Sequence, residues 1–528
     1  MFWVDRLVEE IKRVKVQTIE AGRPLIIRDE KTASGRAHLG SLRGVAIHGI
    51  ISEALREANI PNEYLFEIND FDFLDSVPSY LDKEKFSPYL GKLLLDVPSP
   101  DGRAKNYAEY FAQEFAEAIE KTAFKPSYYR SSTFYREGKF NEAIKKALDK
   151  VELIKKIYKE VSGSVKKDWF PLSVICEKCG KASTTKVTNW DGEKVEYLCG
   201  DNVPWAKGCG GRGKISPFDG RAKLSWKVEW AAKFKVLGVD VEGAGKDHYT
   251  KGGARDVADR ICREVFYYPP PFNIPYEFFQ EGGKKMSSSK SIGSGALEVA
   301  KVLPTEILRL FLLQKEPQRV IEFDLESDAV PVLFDTHDSL AENFFSGKED
   351  DYARLFRLIH TAQSKESLKK KFLPRFSLVS FLAQMTHVDL MSEMARLKGG
   401  VLTAEEKKEI EKRKEYALLW LSLYAPDRYK FEIQKVLPEA GKVLKPVQKE
   451  ALGKVLDFVE TSKASDGQAF HNRLHEIKSE LSIDPQELFC ALYLVFLGKN
   501  HGPKAGWFLS VLDREFLMTR LKEAISKN

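Results

Sequence analysis

The sequence predicts an α/β fold in the first half of the chain and an all-helical second half. Three observations lead to this prediction: a strand–loop–helix–strand pattern near the N-terminus, a cysteine cluster inside the first half, and successive helical segments from about Leu303 onward. At 528 residues the chain is long enough for several domains of about 150 residues each. Hydrophobic residues at 43% and charged residues at 30% are typical of folded proteins and exclude a largely disordered chain.

The charge balance and the apolar runs restrict the possible partners. Lysine and arginine (83) outnumber aspartate and glutamate (77), and the net charge of +6 permits a nucleic-acid partner without requiring one. The longest apolar runs, Tyr416–Ala425 and Leu488–Leu497, fall short of the roughly 18 residues that span a bilayer, so we expect buried helices and no membrane partner. The acidic N-terminus is unlike a signal peptide, and we expect a cytoplasmic protein.

The first elements form a βαβ unit. Residues 24–28 predict a strand, 42–55 predict an amphipathic helix that ends before Pro61, and 63–68 predict a second strand. This order implies a parallel sheet, whose ligands lie at the carboxyl ends of the strands. The loop at 32–40 is therefore a predicted active-site loop.

The later elements follow from the same periodicities. Strand and helix signals resume after the cysteine segment, at 224–241, 256–265 and 275–279, and a loop rich in glycine, lysine and serine covers 282–294. Helices are then predicted at Thr305–Leu313, Asp351–Gln363, Ala404–Leu423, Val447–Val459, Ala469–Leu481, Pro485–Leu497 and Phe508–Ile525.

Two motifs are candidates for binding the phosphate groups of a nucleotide. In the first, Ser34-Gly-Arg-Ala-His-Leu-Gly-Ser41, His38 can donate to phosphate oxygens and Gly40 lets a nucleotide approach the backbone. Taken alone, this short pattern is more often a glycine turn with an incidental histidine. In the second, Lys285-Met-Ser-Ser-Ser-Lys290, lysines can neutralise charge that develops on a triphosphate. A solvated basic linker is the alternative, which this specific composition directly after a strand disfavours.

Together the two motifs resemble the arrangement in class I aminoacyl-tRNA synthetases, where a split Rossmann fold binds ATP between two such loops. Within that class the chain is similar to the class I lysyl-tRNA synthetases. The resemblance covers most of the chain and rests on residues 29–40, 245–253, 275–279 with 285–289, and 502–506. The chain departs from the family at Ala33, where many members have proline, and at Ser41, where histidine or asparagine is common in the class.

The resemblance implies a domain organisation. Residues 1–170 would be the first half of the Rossmann catalytic domain and 171–215 a zinc-binding insertion. Residues 216–300 would be the second half of the catalytic domain, 301–345 a helical connector, and 346–528 an α-helical anticodon-binding domain.

The resemblance also implies the reaction of a lysine–tRNA ligase, in which ATP activates L-lysine and the lysyl group passes to the 2′-OH of the terminal adenosine of tRNA(Lys). Mg²⁺ would enter with ATP. The catalytic residues would be His38, Lys285 and Lys290, although the usual loop has its second lysine where this chain has Ser288. The full predicted ATP-binding set is Ser34, Gly35, His38, Gly40, Ser41, Gly245, Asp247, Lys285, Met286, Ser287, Ser288, Ser289 and Lys290.

The predicted lysine pocket combines an acid with aromatic side chains. Glu30 can pair with an ammonium group, and aromatic rings can pack on the methylene stem and attract the cation. The predicted lysine-binding residues are Glu30, Thr32, Trp226, His248 and Tyr276. Ordinary core packing is the alternative for Trp226 and Tyr276.

Four of the six cysteines are spaced Cys176-x2-Cys179-x19-Cys199-x9-Cys209, which predicts a structural zinc site. The last gap is wider than in an ordinary zinc ribbon, and four unrelated thiols are the alternative. The resemblance implies that some members of the family use another Cys/His metal site ahead of the cysteine segment. The matching stretch here, Ser99–Tyr110, contains no cysteine or histidine, so we expect no second metal site of that kind.

We expect tRNA(Lys) and L-lysine as partners and a monomeric chain. Candidate tRNA contacts are Lys369–Lys371, Arg375, Lys504 and Trp507, although such a charge run is more often a solvated helix face. The alternatives are a non-catalytic tRNA-binding relative, a class I synthetase for another amino acid such as glutamate, and a small-molecule adenylyltransferase.

Overall fold

The computed structural model describes residues 1–281, 284–285, 294–360, 368–385, 388–462 and 466–526, with the backbone alone at 281, 284 and 285. The chain divides into two compact units. The N-terminal unit comprises Met1–Asp324 and Leu340–Leu368, and the C-terminal unit comprises Leu325–Ser339 and Lys369–Asn528.

The strands lie in the N-terminal unit. They are β1 (Leu25–Thr32), β2 (Asn62–Asn69), β3 (Ser127–Arg130), β4 (Leu172–Val174), β5 (Thr185–Trp190), β6 (Val195–Cys199), β7 (Arg212–Ile215), β8 (Ala222–Leu224), β9 (Val241–Gly245), β10 (Phe272–Tyr276), β11 (Phe279–Glu281), β12 (Lys284–Lys285) and β13 (Ile321–Glu322).

The central sheet has the strand order β10-β9-β1-β2-β3, and all of its paired strands are parallel. The register of β1 and β2 runs from Leu25 opposite Asn62 to Thr32 opposite Asn69. The chain builds the sheet outward from β1 through β2 to β3, and then returns to the other side of β1 with β9 and β10. The order therefore reverses between β1 and β9, which is the point where open α/β sheets bind ligands.

The helices of the N-terminal unit cover this sheet and its connections. They are α1 (Trp3–Val14), α2 (Val16–Glu20), α3 (Ser41–Glu57), α4 (Lys83–Phe86), α5 (Tyr107–Lys121), α6 (Ser131–Arg136), α7 (Asn141–Asp149), α8 (Val151–Ser162), α9 (Trp226–Leu237), α10 (Ala254–Glu264), α11 (Ala296–Val302), α12 (Thr305–Leu313) and, after α13 (Ala329–Phe345), α14 (Asp351–Ile359). Helix α3 is buried on nearly all sides from Leu42 to Leu55, as expected of a central helix of such a fold. Helix α13 has residues in both units.

The cysteine segment forms a small module of its own. Strands β5, β6 and β7 pair as an antiparallel sheet, and β4 pairs with β8 where the chain enters and leaves the module.

The described part of the C-terminal unit is helical. Its helices are α15 (Phe376–Leu382), α16 (Leu390–Lys398), α17 (Ala404–Leu423), α18 (Glu439–Lys442), α19 (Pro446–Thr461), α20 (Gly467–Leu481), α21 (Pro485–Leu497), α22 (Ala505–Ser510) and α23 (Arg514–Ile525). The single helix predicted over Phe508–Ile525 is wrong, because the chain turns at Asp513, whose carboxylate accepts from the amide of Phe516 at 2.9 Å and starts a new helix. The apolar run Leu488–Leu497 lies in α21, and the run Tyr416–Ala425 begins in α17 and ends two residues beyond it. No helix in the described ranges is long and apolar enough to cross a membrane.

The predicted fold class is confirmed: the first half is α/β with a parallel sheet, and the second half is helical.

Candidate active site

The sheet opens at the point where its strand order reverses. Strands β1 and β9 pair at Ile27 and Val241, and two residues further along β9 the amide of Gly243 donates instead to Nε2 of His48 at 2.7 Å. Nδ1 of the same ring lies 2.7 Å from the carbonyl oxygen of Gly44 and therefore carries the proton. His48 thus accepts the hydrogen bond that the Gly243 amide does not make to β1. The two strands can therefore separate, and a crevice can form between the loops that follow β1 and β9.

The first predicted ATP loop lies on this crevice. Gly40 immediately precedes α3, and a Cβ atom there would lie 2.7 Å from the imidazole of His38 and 3.7 Å from the ring of Phe279. A larger residue at this position would displace the His38 ring, which explains the glycine. Phe279 belongs to β11, the strand directly ahead of the Lys-Met-Ser segment, so the first motif lies close to the chain that leads into the second.

The far side of the Lys-Met-Ser segment also lies against the first loop. The amide of Leu39 donates to the carbonyl oxygen of Ser294 at 3.0 Å, and the amide of Ala296 donates to Ala37 at 2.8 Å, so that His38 and Gly295 form a β-bridge. The backbone of Lys285 pairs with Gln280 in the hairpin of β11 and β12. The side chain of Lys285 and the predicted ATP-binding residues Met286, Ser287, Ser288, Ser289 and Lys290 lie outside the described residues.

Arg43, which the sequence analysis missed, stabilises the contact between the first loop and the chain around Phe279. Its guanidinium is buried and donates to the carbonyl oxygens of Leu312 at 2.6 Å, Lys315 at 3.1 Å and Glu316 at 2.8 Å, at and just beyond the end of α12. The guanidinium also lies 5.9 Å from the ring centroid of Phe279. Arg43 therefore ties the helix that follows the first loop to the chain around β11.

The other predicted ATP contacts surround the same crevice. The carbonyl oxygen of Ser34 accepts from the Tyr107 hydroxyl at 2.9 Å, and a Cβ on Gly35 would lie 2.8 Å from the hydroxyl of Tyr80. Ser41 opens α3, and its amide donates to His38 at 2.9 Å. Gly245 ends β9 and is followed by the exposed Asp247.

Two predicted lysine-binding residues, Trp226 and His248, contact each other, and a chain of other side chains connects them to a third, Glu30. Trp226, at the start of α9, is 50% exposed, and its ring stacks on Trp230 with a centroid distance of 6.0 Å. The His248 ring packs edge-on against both indoles, at 5.9 Å and 5.5 Å. The indole N–H of Trp230 donates to Glu242, which pairs with Arg28, and Arg28 pairs with Glu30.

Glu30 is the exposed edge of a buried ionic network that the sequence analysis did not predict. Nζ of Lys233 lies 3.1 Å from Oε2 of Glu30 and 2.6 Å from Oε1 of Glu67, while Nζ of Lys223 lies 2.7 Å from Glu229. The side chain of Glu30 is 38% exposed, and every other side chain of the network is 4% exposed or less. The network consists of Arg28, Lys223, Lys233, Glu30, Glu67, Glu229 and Glu242.

This network carries more negative than positive charge. It has three cations and four carboxylates, and Asp72, 3.9 Å from Lys223, adds a further carboxylate. Burial alone would raise the pKa of Glu67, but the charges of Lys233 and Arg28 hold that pKa well below its ordinary value. Burial likewise opposes ionisation of Lys233, yet the surrounding carboxylates raise its pKa. Glu67 and Lys233 therefore stay charged at neutral pH, and the exposed carboxylate of Glu30 can pair with another cation.

The remaining two predicted lysine-binding residues lie on neighbouring strands. Thr32 ends β1 opposite Asn69. Tyr276 ends β10 opposite Gly245, and its hydroxyl would be 3.0 Å from a Cβ on Gly44, a position that also faces the carboxylate of Asp29. Burial raises the pKa of Tyr276 well above its ordinary value, so this hydroxyl stays protonated.

The four clustered cysteines converge. Their sulfur atoms all lie within 4.8 Å of one another, with 3.6 Å between Cys176 and Cys209 and 3.7 Å between Cys179 and Cys199. Sulfur atoms in a tetrahedral shell with Zn–S bonds of about 2.3 Å are roughly 3.8 Å apart. Gly180 follows the Cys-x-x-Cys pair with a φ of +72°, which glycine adopts readily. The cluster could therefore hold a metal ion.

The candidate tRNA contacts in the C-terminal unit are partly engaged with carboxylates. Lys371 pairs with Glu409 at 2.8 Å, and Arg375 pairs with Asp335 at 2.5 Å. Nζ of the exposed Lys504 lies 5.7 Å from the ring centroid of Trp507, whose side chain is partly buried.

The fold and the paired loops define a class I tRNA synthetase. The family described as tRNA synthetases class I (K) matches residues 1–365, and the chain belongs to this family. A lysine–tRNA ligase of Methanosarcina barkeri is 32% identical, over 99% of this chain and 97% of that protein. One from Methanocaldococcus jannaschii is 30% identical, over 98% and 99%.

Among solved structures, a glutamate tRNA ligase from Elizabethkingia meningosepticum has a TM-score of 0.46 and 11% identity, covering 95% of this chain and 99% of that one, which is too distant to bear on the substrate. The resemblance predicted from the two motifs and the predicted enzyme class, an aminoacyl-tRNA ligase, are confirmed by the family match. ATP use is general in this class.

Proposed function

We propose that the chain is a lysine–tRNA ligase, which activates L-lysine with ATP and transfers the lysyl group to the 2′-OH of the terminal adenosine of tRNA(Lys). Relatives of that name align over essentially the whole chain. The observation that carries the proposal is the joining of the His38 loop to both flanks of the Lys-Met-Ser segment at the opening of the sheet.

ATP would lie in the crevice between the loops after β1 and β9. His38 and the amides at the start of α3 would contact phosphate oxygens, and Gly40 would let the nucleotide approach the backbone. Lys285 and Lys290 would neutralise the phosphates from the opposite side. Mg²⁺ would arrive with ATP and shield its phosphate charge, and Gly245 and Asp247 would contact the adenosine.

The substrate ammonium would complete the buried ionic network. Its excess negative charge faces solvent at Glu30, and no hydrogen bond to Oε1 of Glu30 is found among the described contacts. A fourth cation beside Glu30 would make the number of cations equal to the number of carboxylates in the network, not counting the more distant Asp72. Trp226 and His248 would pack on the methylene stem, and Thr32 and Tyr276 would line the end nearest ATP.

The reaction would proceed in two steps without a covalent enzyme intermediate. The lysine carboxylate attacks the α-phosphorus of ATP, which forms lysyl-adenylate and releases pyrophosphate. The 2′-hydroxyl of the tRNA then attacks the acyl carbon, and AMP leaves. The protein contributes orientation of the reacting groups and stabilisation of the phosphate charge.

The cysteine module would bind a structural Zn²⁺. Four thiolates fill a tetrahedral shell and leave no position for a substrate. The C-terminal unit would bind the anticodon region of the tRNA, through the exposed Lys504 and the partly exposed Trp507.

Aminoacylation of total tRNA with each of the twenty amino acids separately tests this function. Lysine alone should be esterified, and the product should be periodate-resistant because its ribose is acylated. Charging with glutamate would favour the alternative synthetase, for which the excess negative charge around Glu30 is unsuitable. Tight tRNA binding without charging by any amino acid would favour the non-catalytic relative.

A further inference from the structure

A lysine–aromatic surface lies beside the candidate amino-acid pocket. It consists of Lys166, Trp169, Trp226 and Lys227, grouped around the buried ring of Tyr158. Nζ of Lys166 lies 5.3 Å from the ring centroid of Tyr158 and 5.6 Å from that of Trp169, and Nζ of Lys227 lies 5.7 Å from Tyr158 and 5.7 Å from Trp226. Two ammonium groups therefore share one tyrosine ring.

These two ammonium groups have no carboxylate partner within ion-pair distance among the described residues. The neighbouring Lys155 differs, because it pairs with Glu152 at 2.8 Å. Burial and the charge of Lys166 together lower the pKa of Lys227. Two cations near each other without an acid between them repel, and an anion placed between them would relieve that repulsion.

The surface starts where the pocket opens. Trp226 belongs to both: its ring stacks on Trp230 of the pocket, lies beside Lys227, and remains 50% exposed. An exposed aromatic ring next to unpaired lysines is the combination that binds single-stranded nucleic acid, since bases stack on the ring and phosphates pair with the cations.

We propose that the lysine–aromatic surface binds the unpaired 3′ end of the tRNA, with a base on the exposed part of Trp226 and phosphates at Lys166 and Lys227. This inference rests on the proposed function, which requires the terminal adenosine to reach the pocket. It assigns the path by which the 3′ end arrives: along the face of α8 and the start of α9.

The test compares two RNAs on three proteins. The RNAs are full-length tRNA(Lys) and the same transcript without its four 3′-terminal nucleotides. The proteins are the wild type, the double variant Lys166→Ala/Lys227→Ala, and the control Lys145→Ala/Lys146→Ala. The control removes the same charge from α7, where Lys145 pairs with Asp149 and Lys146 with Glu142. Dissociation constants are measured by filter binding at several salt concentrations.

The wild type and the control should bind the full-length RNA about 10-fold more tightly than the truncated one, as stacking and phosphate pairing imply. The Lys166→Ala/Lys227→Ala variant should lose most of that difference and bind the truncated RNA as the wild type does. A variant that keeps the difference, or that loses affinity for both RNAs equally, would overturn the assignment.

Two further measurements separate this inference from its premises. The variant Lys166→Arg/Lys227→Arg keeps both charges and should restore the difference between the RNAs, which a folding defect would not allow. If the wild type charges tRNA with lysine but the variants do not show the predicted changes in the difference between the two RNAs, the surface assignment alone is wrong. If the wild type does not charge tRNA with lysine, the proposed function itself fails.

Discussion

The backbone amide of Leu39 donates a hydrogen bond to the carbonyl oxygen of Ser294 at 3.0 Å. Leu39 lies in the first phosphate motif, and Ser294 closely follows the second. The two residues are far apart in sequence. This bond and the neighbouring bond from Ala296 to Ala37 form a short β-bridge that joins the two motifs. A single nucleotide can then be contacted from both sides.

Arg43→Lys should weaken this junction. Lysine retains the charge but cannot donate to the three carbonyl oxygens that Arg43 reaches, so we expect a loss of about 2–3 kcal/mol in stability. Because Phe279 and the chain around β11 would shift, the kcat of lysine-dependent ATP–pyrophosphate exchange should fall more than the KM for lysine rises. Arg319→Lys, at an exposed residue that pairs with Glu316, is the control. A lower melting temperature with unchanged exchange kinetics would make Arg43 purely structural.

Glu30→Gln should raise the KM for lysine. The amide keeps the size of the side chain and one oxygen that can accept from Arg28 and Lys233, but it removes the charge that attracts the substrate ammonium. Losing one partner of a partly buried ion pair costs at least about 2 kcal/mol, or roughly 30-fold in KM. The KM for ATP should hardly change, and Glu63→Gln, an exposed acid on β2, should change neither constant. Equal increases in both KM values would show that Glu30 acts through the fold.

The cysteine cluster predicts one zinc ion per chain. Cys199→Ser should abolish the bound metal measured by mass spectrometry and lower the melting temperature, because four thiolates no longer close the shell. Cys490→Ser, outside the cluster, should leave the metal content unchanged. A wild-type protein purified without chelators that contains no zinc would contradict the assignment.

Acid should destabilise the C-terminal unit through Asp338. Burial alone would raise the pKa of this carboxyl, but hydrogen bonds from Arg413 and His337 hold the pKa below its ordinary value. Its stabilising contribution is therefore complete above the unfolded pKa of about 4 and is lost as the pH falls through the folded value.

Hydrogen exchange of peptides from α17 measures this effect. Protection of α17 relative to the intrinsic exchange rate, which itself slows as the pH falls, should decrease between pH 5 and pH 3. Arg413→Met should decrease this protection at every pH, because the variant leaves Asp338 and Glu409 without their buried partner. Protection in α17 that is constant over this pH range would contradict the prediction.

Sequence patterns were sufficient for helices whose start is marked by a capping residue or a proline. Helices Thr305–Leu313, Ala404–Leu423 and Pro485–Leu497 have the predicted bounds, because each has a cap or a proline at its start. The predicted strand at 275–279 falls on two strands instead, β10 and β11, because Tyr276 ends the pairing with β9 and Phe279 begins a new pairing with Ile321.

The ionic network could not be derived from periodicity. Arg28 and Glu67 are charged residues inside apolar strand sequences, which is a usable signal that something unusual is buried. Lys233, which also pairs with Glu67, lies in a helix far along the chain, however, and only the fold brings the three together. The same holds for Arg43, whose acceptors are backbone carbonyl oxygens that no residue pattern marks.

The most direct test of the shared nucleotide site is ATP–pyrophosphate exchange with lysine and tRNA(Lys) present, measured for His38→Ala, Lys285→Ala and Lys290→Ala. If the His38 loop and the Lys285–Lys290 segment both bind one triphosphate, His38→Ala and at least one of the lysine variants should slow exchange by about 10²-fold or more. An exchange rate equal to that of the wild type in His38→Ala, or in both lysine variants, would contradict the account.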